Sequence, residues 1–325
     1  ENRFGVERQM ESAVLRAHKL DPEGNIPVTF HSTSQLPELR THIIKAEKGK
    51  KEKIEQGLYT VNEYSGEIRM IRPEKRYFGE GEKFTGEALK FESEKELKRT
   101  NKEVWTESLS QINRLADFGE QSLRNLRERF PDIYSQIGKV DLNLIKDEKD
   151  REIVRNVQRE INHGQIYLRD SYRGLRQLFD RAWTNANEED RKKLKEFAQE
   201  VTPKITLDIE TDPEKVEELR KIVDMGINIF SKIETPQIFT PLDQFVIKKS
   251  SQTFANVAEC AYNKFGEKAP IISIENPPAG GGISTAEDLK KLVETSREQL
   301  AKNLVEHKKF SNSEAKKIAE KMIGA

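Results

Sequence analysis

The pattern of apolar and polar positions divides the chain into helical and extended segments. Residues 6–20 carry apolar side chains at helical spacing, and the turn-forming residues 21–25 then end this helix. Residues 26–31 form a short, mainly apolar run with Pro27 near its start, where a strand tolerates proline. The pattern therefore predicts a helix, a turn and a strand at the beginning of the chain.

The middle segment, 36–202, has a different character. Two short apolar runs predict a β-hairpin near 57–78. Two amphipathic stripes predict long helices, one that ends at Pro131 and one over 148–183. Asn187 is placed to cap a shorter, highly charged helix. The segment is therefore predicted to be a mostly α-helical insert that carries a β-hairpin.

Strand and helix patterns alternate again over 203–325. Strands are predicted at 204–210 and 269–275, and the second is a continuous apolar run of the kind that a strand buried on both faces shows. The last two helices each begin with the spacing of a capping box, at Ser284 with Glu287 and at Ser311 with Glu314. Repeated βα units predict an α/β fold with a parallel sheet, either open or closed.

Composition narrows the classes of protein. The 325 residues include 56 Lys and Arg and 56 Asp and Glu, which leaves no whole-chain basic field for sequence-independent binding of nucleic acid. Charged residues make up 34% of the chain, against an average of about 25%, so much of it should be solvated helix face. No apolar run approaches the roughly 18 residues of a membrane span, and the first ten residues do not resemble a signal peptide. We therefore expect a cytoplasmic protein without a membrane partner.

Two residues are the candidates for chemistry. Glu275 ends the buried-type strand, where an isolated carboxylate would need a partner such as a metal ion, an Arg or a Lys. His31 occupies the matching place on the first predicted strand. Carboxylate and imidazole donors together suit a divalent ion such as Mn, Mg, Zn or Co. Each residue also has a structural interpretation, since a strand-terminal Glu is often a capping or ion-pairing residue and a single His is often not a ligand.

The segment ISIENPPAGGG, at 271–281, leads into a capped helix and resembles the strand and loop of the xylose isomerase-like TIM barrels. That superfamily includes sugar-phosphate isomerases and epimerases and the endonuclease IV class of abasic-site nucleases. The resemblance implies that Glu275 is a catalytic residue and a metal ligand, with Asn276 beside it. The segment VTFHSTS, at 28–34, is similar to an earlier strand of the family, and this likeness implies that His31 is a second metal ligand.

The resemblance implies an incomplete (β/α) TIM-barrel-type fold. It makes 1–35 the first barrel part, 36–202 the insert and 203–325 the second barrel part, which together fall short of the roughly 250 residues of a full barrel. The strand at 204–210 offers Asp208 and Glu210 where the nucleases have another His, and further ligands of the family come from later strands. We therefore expect further sequence before residue 1 and after residue 325. The pattern at the C-terminal end supports this expectation, since it predicts a helix C-cap with Gly324 in the left-handed conformation.

Three functions remain open at this point. The first is a divalent-metal-dependent isomerase or epimerase that acts on a sugar or sugar phosphate. The second is a phosphodiesterase of the abasic-site type, with DNA as its substrate. The third is an inactive barrel that serves as a scaffold, in which the helical insert binds a protein partner, because an insert of this length is usually functional.

Overall fold

The computed structural model describes residues 2–24, 26–33, 40–47, 50–78, 84–136, 142–206, 213–276, 282–283 and 285–325. The fold is a mixed α/β arrangement in which helices predominate and the strands form small sheets. In the described part of the chain, no helix combines the length and apolarity that crossing a bilayer requires.

The elements are numbered in chain order. The α-helices are α1 (Asn2–Ala17), α2 (Ser93–Arg129), α3 (Pro131–Ser135), α4 (Glu148–Asn185), α5 (Glu188–Val201), α6 (Pro213–Phe230), α7 (Leu242–Phe265), α8 (Ala286–Lys308) and α9 (Asn312–Met322). The strands are β1 (Pro27–His31), β2 (Arg40–Glu47), β3 (Lys50–Asn62), β4 (Ile68–Ile71), β5 (Phe239–Pro241), β6 (Ile271–Glu275) and β7 (Ile323–Gly324). Short 3-10 helices lie at Leu142–Leu144, Thr202–Lys204 and Gly266–Lys268.

The chain forms two compact units. Unit 1 comprises Glu1–Glu96 and Phe239–Ala325, and unit 2 comprises Leu97–Ile238. The insert was predicted at 36–202. It therefore begins 61 residues before unit 2 begins and ends 36 residues before unit 2 ends. The hairpin stays in unit 1 because Val61 of β3 pairs with Thr240 of β5 and is buried in the core of that unit.

Unit 1 contains a parallel sheet and an antiparallel sheet. The parallel sheet has the order β1-β6-β7, so the first strand of this unit pairs with β6, although β2 to β5 lie between them in sequence. Helices α1, α7, α8 and α9 contribute buried side chains to the same apolar core as Ile272 and Ile274 of β6. The antiparallel sheet joins β3 to β2, β4 and β5. The parallel connections confirm the α/β prediction, whereas the described residues form an open three-stranded sheet and no closed barrel.

The two ends of the last helix test two predictions. Ser311 and Glu314 form the predicted capping box at the start of α9. The prediction for its C-terminal end is wrong, because Ile323 and Gly324 form β7 and pair in parallel with Ile272 and Ser273. Gly324 has no positive φ, since the chain continues in extended conformation into the sheet. A two-residue strand gives no period of its own, so the helical pattern before it dominated the prediction.

Unit 2 is helical in its described residues, and its long helices match the predicted stripes. Helix α2 ends just before Pro131, and α4 begins at the predicted residue 148. Asn187 caps α5 as predicted, since its side chain accepts a hydrogen bond from the backbone N–H of Asp190. The predicted strand at 204–210 begins inside the 3-10 helix Thr202–Lys204, and its last four residues lie outside the described ones.

Helices α2 and α4 approach each other closely at two glycines. A Cβ atom added at Gly119 would lie 2.8 Å from the carbonyl oxygen of Gly164 and 2.8 Å from Cγ of Leu168. Ser171 Oγ donates a hydrogen bond to the Ile112 carbonyl at the same contact between helices. The helix pair therefore depends on the absence of a side chain at position 119.

We expect Gly119→Ala to lower the free energy of unfolding by about 1–3 kcal/mol, because backbone as well as side-chain atoms must move. Gly5→Ala is the matched control, since it is also a helical glycine and nothing lies within 4 Å of its added Cβ. That control should stabilise the protein by about 0.5 kcal/mol through lower chain entropy in the unfolded state. Urea unfolding followed by circular dichroism measures both effects, and equal values for the two variants would contradict the close approach.

Candidate functional site

The ends of two parallel strands bring the two predicted residues together. Strands β1 and β6 are neighbours, and their register pairs His31 with Glu275 as the last residues of the two strands. The ladder continues one step further, because the backbone N–H of Ser32 donates to the carbonyl oxygen of Glu275 at 2.8 Å. The carboxyl ends of parallel strands share one edge of a sheet, which is where many α/β proteins place their sites.

His31 and Glu275 are in direct contact. The distance between Nε2 of His31 and Oε1 of Glu275 is 2.9 Å, and each side chain is 52% exposed. Both side chains are thus accessible to a ligand from solvent. Their exposure also removes the burial argument that first drew attention to Glu275, because water can solvate the carboxylate here.

Alternation along the strands explains why these side chains are accessible. The side chains that pack on the helical layer are Val28, Phe30, Ile272 and Ile274. Thr29, His31 and Glu275 belong to the opposite face and are exposed, and Ser273 on that face is half-buried. Successive side chains of a strand point to opposite faces, so His31 and Glu275 share the face that the described helices leave open.

Polar groups surround the ends of these strands. The side-chain oxygens Ser32 Oγ, Thr33 Oγ1 and Asn276 Oδ1 are buried and have no hydrogen-bond partner among the described residues. Ser32 is held by a hydrogen bond at 3.3 Å from Ser250 Oγ of α7 to its carbonyl oxygen. Buried polar atoms generally bind a protein group, a water molecule or a ligand. Since no protein group among the described residues binds these three oxygens, they are candidates for binding a water molecule or a ligand.

Gly282 packs against Thr33 of this group. Its φ is +58°, and a Cβ atom added there would lie 2.1 Å from Thr33 Oγ1 and 2.8 Å from Thr33 Cβ. Rotation of the Thr33 side chain cannot remove the second contact, so only glycine fits. We refer to His31, Ser32, Thr33, Glu275, Asn276 and Gly282 as the strand-end site.

The strand-end site contains two of the donor types that bind divalent metals. In the described residues, no group of three or more His, Cys, Asp or Glu side chains is arranged to hold a metal ion. His31 and Glu275 have the right chemistry and proximity, since two ligands about 2 Å from one ion lie about 3 Å apart. Their number is too small for a complete metal site, so further ligands would have to be solvent or residues beyond the described ones.

Other side chains with metal-binding or nucleophilic chemistry do not belong to the strand-end site. Asp208 and Glu210 fall outside the described residues. His307, in the last turn of α8, contacts Glu259 with 2.8 Å between Nδ1 and Oε1. Burial and the neighbouring Glu11 carboxylate raise the pKa of Cys260, which makes its thiolate scarce and disfavours a nucleophilic role.

The first of the last two helices has a different cap from the predicted one. Thr285 is the N-cap of α8 and accepts a hydrogen bond from the backbone N–H of Asp288. Ser284 lies outside the described residues. The cap is therefore one residue later than predicted, and Glu287 and Asp288 in the first turn oppose the binding of an anion at this helix end.

The sequence contained a signal for the residues that were not predicted as site residues. Ser32 and Thr33 directly follow His31 in the quoted segment, and a polar run after a strand favours a position at the carboxyl edge of a sheet. Their burial and lack of partners arise from packing against α7 and Gly282, which local sequence does not report.

Comparisons with known proteins found no matching protein-family model, no matching curated protein and no matching solved structure.

Proposed function

We propose that this protein is a divalent-metal-dependent enzyme of the (β/α) TIM-barrel type that isomerises or epimerises a sugar or sugar phosphate. The observation that carries the proposal is the contact of His31 with Glu275, 2.9 Å apart at the carboxyl ends of adjacent parallel strands. The likeness of 271–281 to the xylose isomerase-like barrels agrees with this placement.

The arrangement of the parallel sheet supports the barrel component of the proposal. Strands β1, β6 and β7 are parallel, pair in that order and pack on helices on one side. In a (β/α) barrel, helices cover the outside, and active-site residues lie at the carboxyl ends of the strands. Under this proposal, the open face that carries Thr29, His31 and Glu275 is the interior face of the barrel.

The donors at the sheet edge support the metal component. His31 Nε2 and Glu275 Oε1 would each bind the ion, which when bound supplies polarisation of a substrate carbonyl or hydroxyl oxygen. The second carboxylate oxygen of Glu275 would accept a proton from a carbon next to the carbonyl. In isomerisation it would return that proton to the former carbonyl carbon while the hydroxyl proton moves to the former carbonyl oxygen, and in epimerisation the proton would return to the opposite face of the same carbon. Such a transfer rearranges the substrate without any net gain or loss of atoms.

The neighbouring polar groups favour a polyhydroxylated substrate. Ser32 and Thr33 offer hydroxyl groups that both donate and accept, and Asn276 offers an amide. Sugars carry hydroxyl groups of the same dual character, so this group of side chains matches them in hydrogen-bonding capacity. Under this proposal, the substrate binds to the exposed His31 and Glu275, and these buried groups lie at the same strand ends.

The test is turnover of a panel of aldose, ketose and 2-epimeric sugar phosphates by protein dialysed against EDTA. We expect no turnover after dialysis and recovery of turnover on addition of Mn²⁺, Mg²⁺, Zn²⁺ or Co²⁺, followed by proton exchange at the substrate carbon in deuterated water. Failure of every metal to bind to the protein, measured by calorimetry, would overturn the metal-dependent mechanism.

A further inference from the structure

Unit 2 has an open groove between α4 and the chain formed by α5 and the 3-10 helix Thr202–Lys204. Two adjoining cavities of about 170 Å³ and 560 Å³ form it, and both are lined by Phe179, Ala198 and Thr202. We refer to the surface formed by these residues together with Arg176, Trp183, Lys195 and Ile205 as the α4–α5 groove.

The floor of the α4–α5 groove is apolar and accessible. Trp183 is 38% exposed and Ile205 is 37% exposed. The rings of Phe179 and Trp183 stack with their centroids 6.1 Å apart, and Phe179 also contacts Phe197 and Phe230. The accessible rings thus rest on a rigid aromatic core, which is the composition of a binding anchor rather than of a solvated helix face.

The groove has the length of a short helix. Its α4 wall extends from Tyr172 to Trp183. At 1.5 Å per residue this wall is about 16 Å long, or three helical turns. An amphipathic helix that inserts side chains at i, i+4 and i+7 occupies a groove of this length.

The described residues that line the groove include two cations and one carboxylate. Arg176 and Lys195 line it, and Arg191 lies over the ring of Trp183 at 5.6 Å. Arg176 and Arg191 contact the rings of Tyr172 and Trp183, and within the described part of the chain no carboxylate pairs with Arg176, Arg191 or Lys195. Asp180 is the acidic residue among the described ones that line the groove. A partner with several carboxylates therefore gains ion pairs that the protein itself does not make.

We propose that the α4–α5 groove binds an acidic amphipathic helix of a protein partner. Apolar side chains of that helix fill the space beside Phe179, Trp183 and Ile205, and its Glu or Asp side chains pair with Arg176, Arg191 and Lys195. This interaction is independent of the strand-end site and of the chemistry proposed there.

The test uses the full chain and a synthetic helical peptide of 16 residues, with Leu at i, i+4, i+7 and i+11 and Glu at most other positions. The chain has two Trp residues, of which Trp105 is 3% exposed, so a fluorescence change on binding reports Trp183. We expect saturable, salt-sensitive binding. A peptide with Lys in place of Glu, and a scrambled acidic peptide of the same composition, should bind at least tenfold more weakly.

Charge reversal separates a specific site from general attraction. The double variant Arg176→Glu with Lys195→Glu should weaken peptide binding at least tenfold. Arg155→Glu is the matched control, because Arg155 is an exposed cation about 30 Å away along the same helix, and it should leave binding unchanged. Both substitutions affect exposed side chains, and circular dichroism verifies that helicity is retained.

Four outcomes would overturn the proposal. One is no saturable signal with the acidic peptide, and another is equal loss of binding in the Arg155 control. Equal affinity for indole-3-acetate would assign the groove to a small aromatic acid. Self-association in sedimentation that disappears in the Trp183→Asp variant would assign it to a second copy of this chain.

Discussion

Glu275→Gln is expected to lower the affinity of the protein for Mn²⁺ at least 100-fold, which corresponds to about 2.7 kcal/mol. Gln keeps the length of the side chain and can still hydrogen-bond to His31, which lies 2.9 Å from the carboxylate. It removes the negative charge that a divalent ion requires. Loss of an outer-shell partner already lowers metal affinity about 10- to 100-fold, so loss of a direct ligand should exceed this range. Isothermal titration with Mn²⁺ measures the effect.

Ser273→Ala is the control for this prediction. Ser273 lies two residues before Glu275 on the same strand and the same face, but it carries no charge. Its replacement should change the affinity less than twofold. If Glu275→Gln and wild-type protein bind Mn²⁺ equally, Glu275 is not a ligand, and its contact with His31 serves only to join the two strand ends.

The second large effect is expected at Gly282, where Ala should lower the free energy of unfolding by about 3 kcal/mol. Two costs combine at this position. The residue has φ +58°, and its new Cβ would approach both Oγ1 and Cβ of Thr33. The displacement of Thr33 should also disturb the strand-end site, so substrate affinity should fall together with stability. Thermal unfolding and substrate titration measure the two consequences.

Gly66→Ala separates backbone strain from steric overlap. Gly66 also has a positive φ, +74°, but nothing lies within 4 Å of its added Cβ. Its variant should therefore lose only about 1 kcal/mol from the unfavourable backbone conformation. Equal destabilisation at positions 66 and 282 would show that contact with Thr33 contributes nothing.

Local pattern predicted the elements that carry a strong signal of their own. The long stripes of α2 and α4 repeat over many turns, and Pro131 and Asn187 mark boundaries through chemistry that acts within one turn. The same reasoning gave the capping box at Ser311. It misplaced the end of α9, because β7 is defined by hydrogen bonds to β6 and not by any feature of Ile323 and Gly324 alone.

The candidate site also depends on long-range pairing that local pattern does not report. Its position at two strand ends was predicted from the apolar runs before His31 and Glu275. That these strands are neighbours in register, with the two side chains in contact, depends on pairing across more than 240 residues of chain. The buried oxygens of Ser32 and Thr33 and the closeness of Gly282 likewise depend on residues distant in sequence.

The amino-acid sequence by itself determined the long helices, the apolar strands β1 and β6 and the polar residues at their ends, because each depends on neighbouring side chains and their hydration. Only the tertiary structure decided that the β-hairpin belongs to unit 1, that β1 lies beside β6, and that α4 and α5 form an apolar groove with cations at its rim. The physical reason is that strand pairing and grooves arise from contacts between distant segments, which short-range patterns do not specify.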